Sequence, residues 1–423
     1  MSTLPPILFL TPDPPGAIWQ DKPQIARRLA RVAPVLYVGE EPYLAAWPGL
    51  AGVTQPALTH VADGLYTFRW SPLAPVTGAP LLGPLTAALR RRRLQSALRA
   101  LASPQLTIPH SPIPQLTIPH SPIPHSPIPQ LTIDNCQLPI DNSPPLLWLF
   151  RPGQQHWIDQ LRPRLVIYHV VDEYSAYPGL SPAQAQRQRD LDRQLCIRAD
   201  LVFCTAQSLV DARRPLNPHT HYMPNAVDYV AFQRALASAP PPPASPPRLA
   251  VVGGINAKLD LTLLADMAAR RPDWQVRLVG PLGYGLDEGE LARLRGLPNV
   301  HFAGAVAPEQ VPAVMAGCAV GLIPYKLNEQ TRHVNPLKVY EYLAAGRPVV
   351  ATPLPELRQF QPLVRLAGDV DGFVAAVEEA LAEGEEASAV AARQAMAAAN
   401  TWDVRVERML GLIEEALGGG GNG

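Results

Sequence analysis

The chain has 423 residues, too many for one ordinary hydrophobic core and enough for two. Hydrophobic residues make up 47%, and 36 Lys and Arg balance 36 Asp and Glu. That neutrality argues against a general nucleic-acid binder, which needs a basic surface. The cysteines, at 136, 196, 204 and 318, form no CxxC pair, so neither a zinc site nor a disulfide framework is expected. They read as reduced thiols, mostly buried, in a cytoplasmic protein.

The first residues, MSTLPPILFLTPDPPG, lack the basic n-region and long apolar run of a signal peptide. No apolar run of about 20 residues suggests a transmembrane helix. PILFLTP reads as a buried parallel strand. Ile25, Leu29 and Val32 then recur at helical spacing, and VLYVG reads as a second strand, which opens a βαβ pattern. Leu81 to Leu101 is a basic amphipathic helix carrying RRRR at Arg90 to Arg93.

A tract built from PQLTI and PHSPI follows, from Pro104 to Ile133. Its prolines deny both a helix and a central strand. It is expected to be an extended or disordered insertion, spanning 104–145, in an otherwise regular α/β pattern, where long surface loops cost little closure entropy. PLLWLF and RLVIYHV read as the next strands. SPAQAQRQRDLDRQLCIRA reads as a helix capped by Ser181 with Pro182 in its first turn, and LVFCTA as a further strand.

The proline-rich stretch at 238–247 reads as a linker, so the first domain is expected over 1–237 and the second over 248–399. The second alternates cleanly: RLAVVGG, WQVRLVGP, NVHFAG, CAVGLIPY and RPVVAT as strands, with helices between them. Asp260 is a plausible cap for DLTLLADMAARR, and Gly296 ends DEGELARLRG. In NPLKVYEYLAAG, Asn335 is expected to cap, Pro336 to take the first position and Gly346 to end the helix. A last helix spans 400–417, before a disordered tail at 418–423. The fold class is α/β, with doubly wound parallel sheets.

Ligands of such sheets bind at the carboxyl ends of strands. Glu341 and Lys338 stand in an otherwise apolar helix. A carboxylate there suits a ribose diol, each hydrogen bond to a charged group contributing roughly 1.5–3 kcal/mol. The helix start at Asn335, Pro336, Leu337 and Lys338 could face a diphosphate. Gly253 and Gly254 let the backbone approach a phosphate, and Lys258 could reach it as a point charge. GxGxxG spacing is absent, which disfavours a nicotinamide cofactor. His169, Asp172 and Glu173 follow a strand of the first domain, and a His or carboxylate there could orient an acceptor hydroxyl or take its proton. DLD at Asp190 to Asp192 falls within a helix, so no metal site is expected.

NPLKVYEYLAAGRPVVATPLPEL resembles the donor-binding segment of GT-B-fold glycosyltransferases, the bacterial family 4 type above all. VVGGINAKLDLTLLADMAARRPDWQVRLVGP, MPNAVDYVAF, YHVVDEYSAYPG, WQDKPQIARRLARVAPVLYVGE and TWDVRVERML resemble other segments of the same group. The resemblance implies two Rossmann-like domains facing a cleft, with the last helix crossing back to the first domain. It implies a nucleotide-diphosphate-sugar donor as substrate, a glycan or glycolipid acceptor, no cofactor or metal, and retention at the sugar. Glu341 would bind the donor ribose. Gly253, Gly254 and the helix start near Asn335 would hold the diphosphate, and His169 or Asp172 would lie near the transferred sugar. One departure stands out: the wider family carries two glutamates, and His333 occupies the place of the first, eight residues before Glu341.

The expected function is therefore sugar transfer in surface polysaccharide or glycolipid synthesis, by a cytoplasmic protein with peripheral membrane contact through Arg90 to Arg93 as one option. Two rivals share the architecture. One is a nucleotide-sugar epimerase; the other is a degenerate, non-enzymatic binding protein that uses the repeat as a docking motif.

Overall fold

The computed structural model describes residues 4–11, 21–39, 58–62, 64–68, 70, 82–101, 144–237, 245–384 and 386–419. The repeat at 104–133 and most of the linker lie outside them, as does Cys136. The contacts divide the chain into two compact units. The first holds residues 1–15, 29–149 and 154–166; the second holds 16–28, 150–153 and 167–423.

In the first unit, β1 (Ile7–Leu10) pairs in parallel with β2 (Val35–Val38). The helix before β2, α1 (Asp21–Leu29), belongs almost wholly to the second unit. It ends at Leu29, so Val32 lies beyond it and is 47% exposed, not on the helix's buried face as its spacing suggests. β3 (Leu58–Ala62) pairs antiparallel with β4 (Leu65–Phe68), which lies parallel to β2. α2 (Leu82–Leu101) follows, and β5 (Leu146–Leu149) pairs with the other side of β1. β1, β2 and β5 are short apolar runs buried along their whole length, as expected of central parallel strands, whereas β3 and β4 carry polar, partly exposed residues. Phe9 packs between Tyr37 and Trp148, at ring distances of 5.7 and 5.4 Å.

After α3 (His156–Leu161), β6 (Leu165–Val170) runs into the second unit. There α4 (Pro182–Arg198) opens on the expected cap: Ser181 and Gln184 form a reciprocal capping box, with Pro182 in the first turn. β7 (Leu201–Cys204) lies parallel to β6, and β8 (Thr220–Tyr222) parallel to β7, with α5 (Gln207–Arg213) between them. α6 (Tyr229–Leu236) completes this part. Cys196, Cys204 and Cys318 are buried free thiols.

The remainder alternates as β9 (Arg248–Val252), α7 (Leu261–Arg270), β10 (Gln275–Val279), α8 (Glu288–Arg295) and β11 (Val300–Gly304). Then come α9 (Val311–Ala316), β12 (Val320–Ile323), α10 (Glu329–Arg332), α11 (Leu337–Ala344), β13 (Val349–Ala351) and β14 (Val364–Leu366). α12 (Val370–Glu383), α13 (Ala387–Ala398) and α14 (Trp402–Gly419) close the chain. Asp260 and Asp287 cap α7 and α8 by accepting backbone N–H groups at 2.9 Å. α14 takes in Gly418 and Gly419, two residues expected in the tail. The β9–β14 sheet is wholly parallel in the order β11-β10-β9-β12-β13-β14. Numbered from its first strand, this is 3-2-1-4-5-6, the doubly wound nucleotide-binding order. The order reverses between β9 and β12, which is where a ligand crevice belongs.

Candidate functional site

Every residue of the site belongs to the second unit. At the switch point β9 ends on Gly253, whose φ of +125° is one that L side chains rarely adopt. A Cβ there would stand 2.8 Å from Cε of Lys338, so the missing side chain is what lets this lysine lie against the strand end. Gly254 is exposed beside it.

Lys338 is carried by α11, a helix buried on almost every side. Tyr342 fixes its depth. The ring occupies the space where Gly321 of β12 lacks a side chain. Its hydroxyl donates to the Ala250 carbonyl at 2.8 Å and accepts from the Val252 N–H at 3.0 Å. α11 is thus clipped to the strand that leads into Gly253.

Glu341 is 2% exposed and pairs with Lys338 at 2.8 Å. Burial raises its pKa, and the lysine opposes the shift. The helix start departs from the sequence reading. Pro336, in an extended conformation, is the cap residue, and Leu337 is the first helical position. Asn335 does not cap: it precedes the cap residue, and its side chain is turned to Glu356, to which Nδ2 donates at 3.2 Å. The Asn335 carbonyl accepts from Asn225 at 2.7 Å. Gly346 does follow the helix end, at φ +71°.

The loop after β6 supplies a partner for Lys258. Asp172 pairs with Lys258 at 3.2 Å, across 86 residues of sequence. Burial lowers the Lys258 pKa, but Asp172, together with Tyr325 and Tyr284, more than offsets it and the net shift is upward. The Tyr177 hydroxyl donates to the other Asp172 oxygen at 2.7 Å, and its ring stacks on Tyr284 at 6.5 Å. Glu173 anchors the same loop to the buried Arg213 at 3.0 Å. Burial pushes the Glu173 carboxyl up, while Arg213 and the Ser175 hydrogen bonds more than offset it. Asp192, in α4, completes this support: it accepts from Arg213 and from the Tyr168 hydroxyl.

Of the residues singled out from sequence, Gly253, Lys338 and Glu341 meet at the switch point, and Lys258 and Asp172 form a second pair. His169 sits apart. It is 1% exposed, inside β6, stacked on Phe150 at 5.2 Å and edge-on to Phe203 at 6.0 Å. Burial first, and Lys22 second, lower its pKa to about 3, so its imidazole is neutral. His333 is held by Ser208 at 2.9 Å and Glu329 at 3.1 Å. Glu356 escaped the sequence reading. It is 5% exposed and accepts from the Gln207 N–H at 2.6 Å, the Tyr222 hydroxyl at 2.7 Å and Asn335. Its place just after β13, at the sheet's carboxyl edge, was the available signal. Among the described residues, no group of three or more His, Cys, Asp or Glu is placed to hold a metal ion. No helix among them is long and apolar enough to cross a membrane.

The doubly wound order of the β9–β14 sheet is consistent with the GT-B fold of two Rossmann-like domains that the resemblance implies. The comparisons with known proteins say the same. Residues 261–411 match the family model described as glycosyl transferase-like. A Bacillus subtilis (strain 168) protein, named as the teichuronic acid biosynthesis glycosyltransferase TuaH, is 34% identical over 256 residues. That match covers 56% of this chain and 64% of the relative, so the chain spans under two thirds of its length. The fold is shared with the alpha,alpha-trehalose 6-phosphate synthase of Burkholderia multivorans at a TM-score of 0.59 and 12% identity, over 99% of this chain and 100% of that one. A trehalose-6-phosphate protein of E. coli, bound with UDP-2-fluoro glucose, matches at 0.56 and 13%, over 97% and 98%.

Proposed function

We propose that this chain is a glycosyltransferase that moves a sugar from a nucleotide-diphosphate-sugar to an acceptor hydroxyl in surface polysaccharide or glycolipid synthesis. The observation that carries the reading is the buried Glu341–Lys338 pair against Gly253, at the switch point of a nucleotide-type sheet. The glycosyl transferase-like segment and the teichuronic acid relative support it.

In this reading Glu341 accepts hydrogen bonds from the donor ribose. Gly253, Gly254 and the α11 start, from Asn335 to Lys338, receive the diphosphate. Lys258 and Lys338 stabilise the charge that grows on the departing diphosphate, which is where preorganised cations lower a barrier. No metal or cofactor is then required, and transfer proceeds with retention at the sugar. Asp172 is the group that meets the acceptor; His169, inside the sheet, supports it by packing. The test is calorimetry with UDP, GDP and ADP, beside Glu341→Ala. One nucleotide should bind, and the variant should lose most of that affinity. Absence of binding by all three would return the weight to a non-enzymatic role.

A cytoplasmic chain in contact with an anionic membrane suits a lipid-linked acceptor. α2 supports that placement: Leu85 and Leu89 are 58% and 42% exposed, and Arg91, Arg92 and Arg93 are exposed on the same helix. Sedimentation with anionic vesicles should fall on replacing these three arginines by alanine.

A further inference from the structure

Neither lysine of the site is an open cation. Lys338 is taken by Glu341, its neighbour on the same helix turn. Lys258 is taken by Asp172, from a distant loop, and the two side chains are 18% and 17% exposed. Parting such a pair is unfavourable unless each member regains a partner. Whatever anion claims Lys258 must therefore replace a carboxylate, and Asp172 must be satisfied without the lysine.

The surroundings provide for that exchange. Asp172 already has its second partner, because Tyr177 donates to Oδ2 while Lys258 faces Oδ1. The loop bearing Asp172 is held independently of Lys258. Glu173 is tied to Arg213, and the Tyr174 hydroxyl donates to the Phe150 carbonyl at 2.7 Å. The Lys258 backbone is also fixed, since its carbonyl accepts the Lys326 N–H at 2.8 Å and its N–H donates to Asn256 at 3.1 Å. What is left to move is the four-carbon lysine stem, which is flexible. It starts from the right loop: Lys258 stands in the segment between β9 and α7 that opens on Gly253, and Leu259 beside it forms an antiparallel bridge with Tyr325, after β12.

We infer that Asp172 is an exchangeable counter-ion. A diphosphate binding beside Gly253 and Lys338 takes Lys258 from Asp172, and the freed carboxylate stays on Tyr177, open to the acceptor. The inference rests on the donor site described above and adds an order to it: the acceptor-facing carboxylate is neutralised until the donor has bound. It also makes Asp172 an inhibitor of donor binding in the empty chain.

The experiment is calorimetry of the full chain with UDP, GDP and ADP, comparing Asp172→Asn, Asp172→Ser, Lys258→Met and the Asp172→Asn/Lys258→Met double variant. Removing the competing carboxylate should tighten binding of the preferred diphosphate about tenfold in both Asp172 variants. Lys258→Met should weaken it, and adding Asp172→Asn to that variant should recover no affinity. If the unaltered chain binds a diphosphate but neither Asp172 variant binds it more tightly, the counter-ion role is wrong and the donor site stands. Equal tightening with and without Lys258 would also overturn it, since the effect would then be general charge. If no diphosphate binds the unaltered chain, the donor site itself fails, and the exchange with it.

Discussion

Glu356 accepts the backbone N–H of Gln207 at 2.6 Å, although the two residues lie 149 apart in the chain. The carboxylate sits in the turn after β13 and the amide at the start of α5. Tyr222 and Asn335 donate to the same carboxylate. One buried side chain therefore satisfies three donors from three separate segments. Removing a shared acceptor leaves each donor with its desolvation penalty. Glu356→Ala should destabilise the protein by about 2–4 kcal/mol, read as a lowered urea midpoint. Glu356→Gln, which keeps one acceptor oxygen, should lose less.

The Lys338–Glu341 pair makes a different prediction. Lys338→Met leaves Glu341 almost fully buried without its cation. Because Lys338 itself is 21% exposed, solvent screens part of the loss. A destabilisation of roughly 1–3 kcal/mol is expected, below the range for fully buried pairs. Lys338→Met combined with Glu341→Gln should recover most of it. A double-mutant cycle in urea measures the coupling, and additive losses would show that the pair is not held together in solution.

His169 gives the chain an acid-sensitive term. Its folded pKa, about 3, lies well below the ordinary imidazole value near 6.5. Between those values the unfolded chain binds a proton that the folded chain refuses. Stability therefore falls as pH drops from about 6.5 toward 3, at up to roughly 1.4 kcal/mol per unit, and is unaffected by this group above that window. His169→Phe should flatten the dependence between pH 5 and 6.5, where carboxylates contribute little. Urea midpoints across that interval supply the check.

Gly253→Ala tests the strand end. Its φ of +125° and the 2.8 Å approach to Lys338 are both incompatible with a Cβ. The substitution should destabilise by about 1–3 kcal/mol and push Lys338 from its place. Nucleotide affinity should fall with it, whereas Gly254→Ala, at an exposed position, should be milder on both counts. Calorimetry beside thermal denaturation separates the two effects.

The alternation of β9 to β14 was legible because each strand is a short apolar run and each helix carries its own stop signals. Gly253, Lys338 and Glu341 were legible for the same local reason: a glycine turn after a strand, and charges in an apolar helix. Long-range pairing was not. Asp172 and Lys258 both stood out, yet nothing in either segment says that they meet. The start of α11 differs from the sequence reading by one residue, with Pro336 as cap, and the Asn335 side chain turns instead to Glu356, 21 residues downstream. His169 followed the same pattern. It lies within the strand read from RLVIYHV, but nothing local says that Phe150 and Phe203 enclose it.

The contact between Tyr342 and Gly321 has a consequence for how the site can change. Tyr342 adjoins Glu341 in sequence, and its hydroxyl grips Ala250 and Val252, just ahead of Gly253. The spacing between the carboxylate and the glycine turn is thus a dimension of the hydrophobic core and not of a surface loop. A ligand too long or too short for that gap meets a rigid gauge. Altering the gauge means repacking an aromatic ring against a strand, so substrate choice and foldedness draw on the same atoms and cannot drift independently.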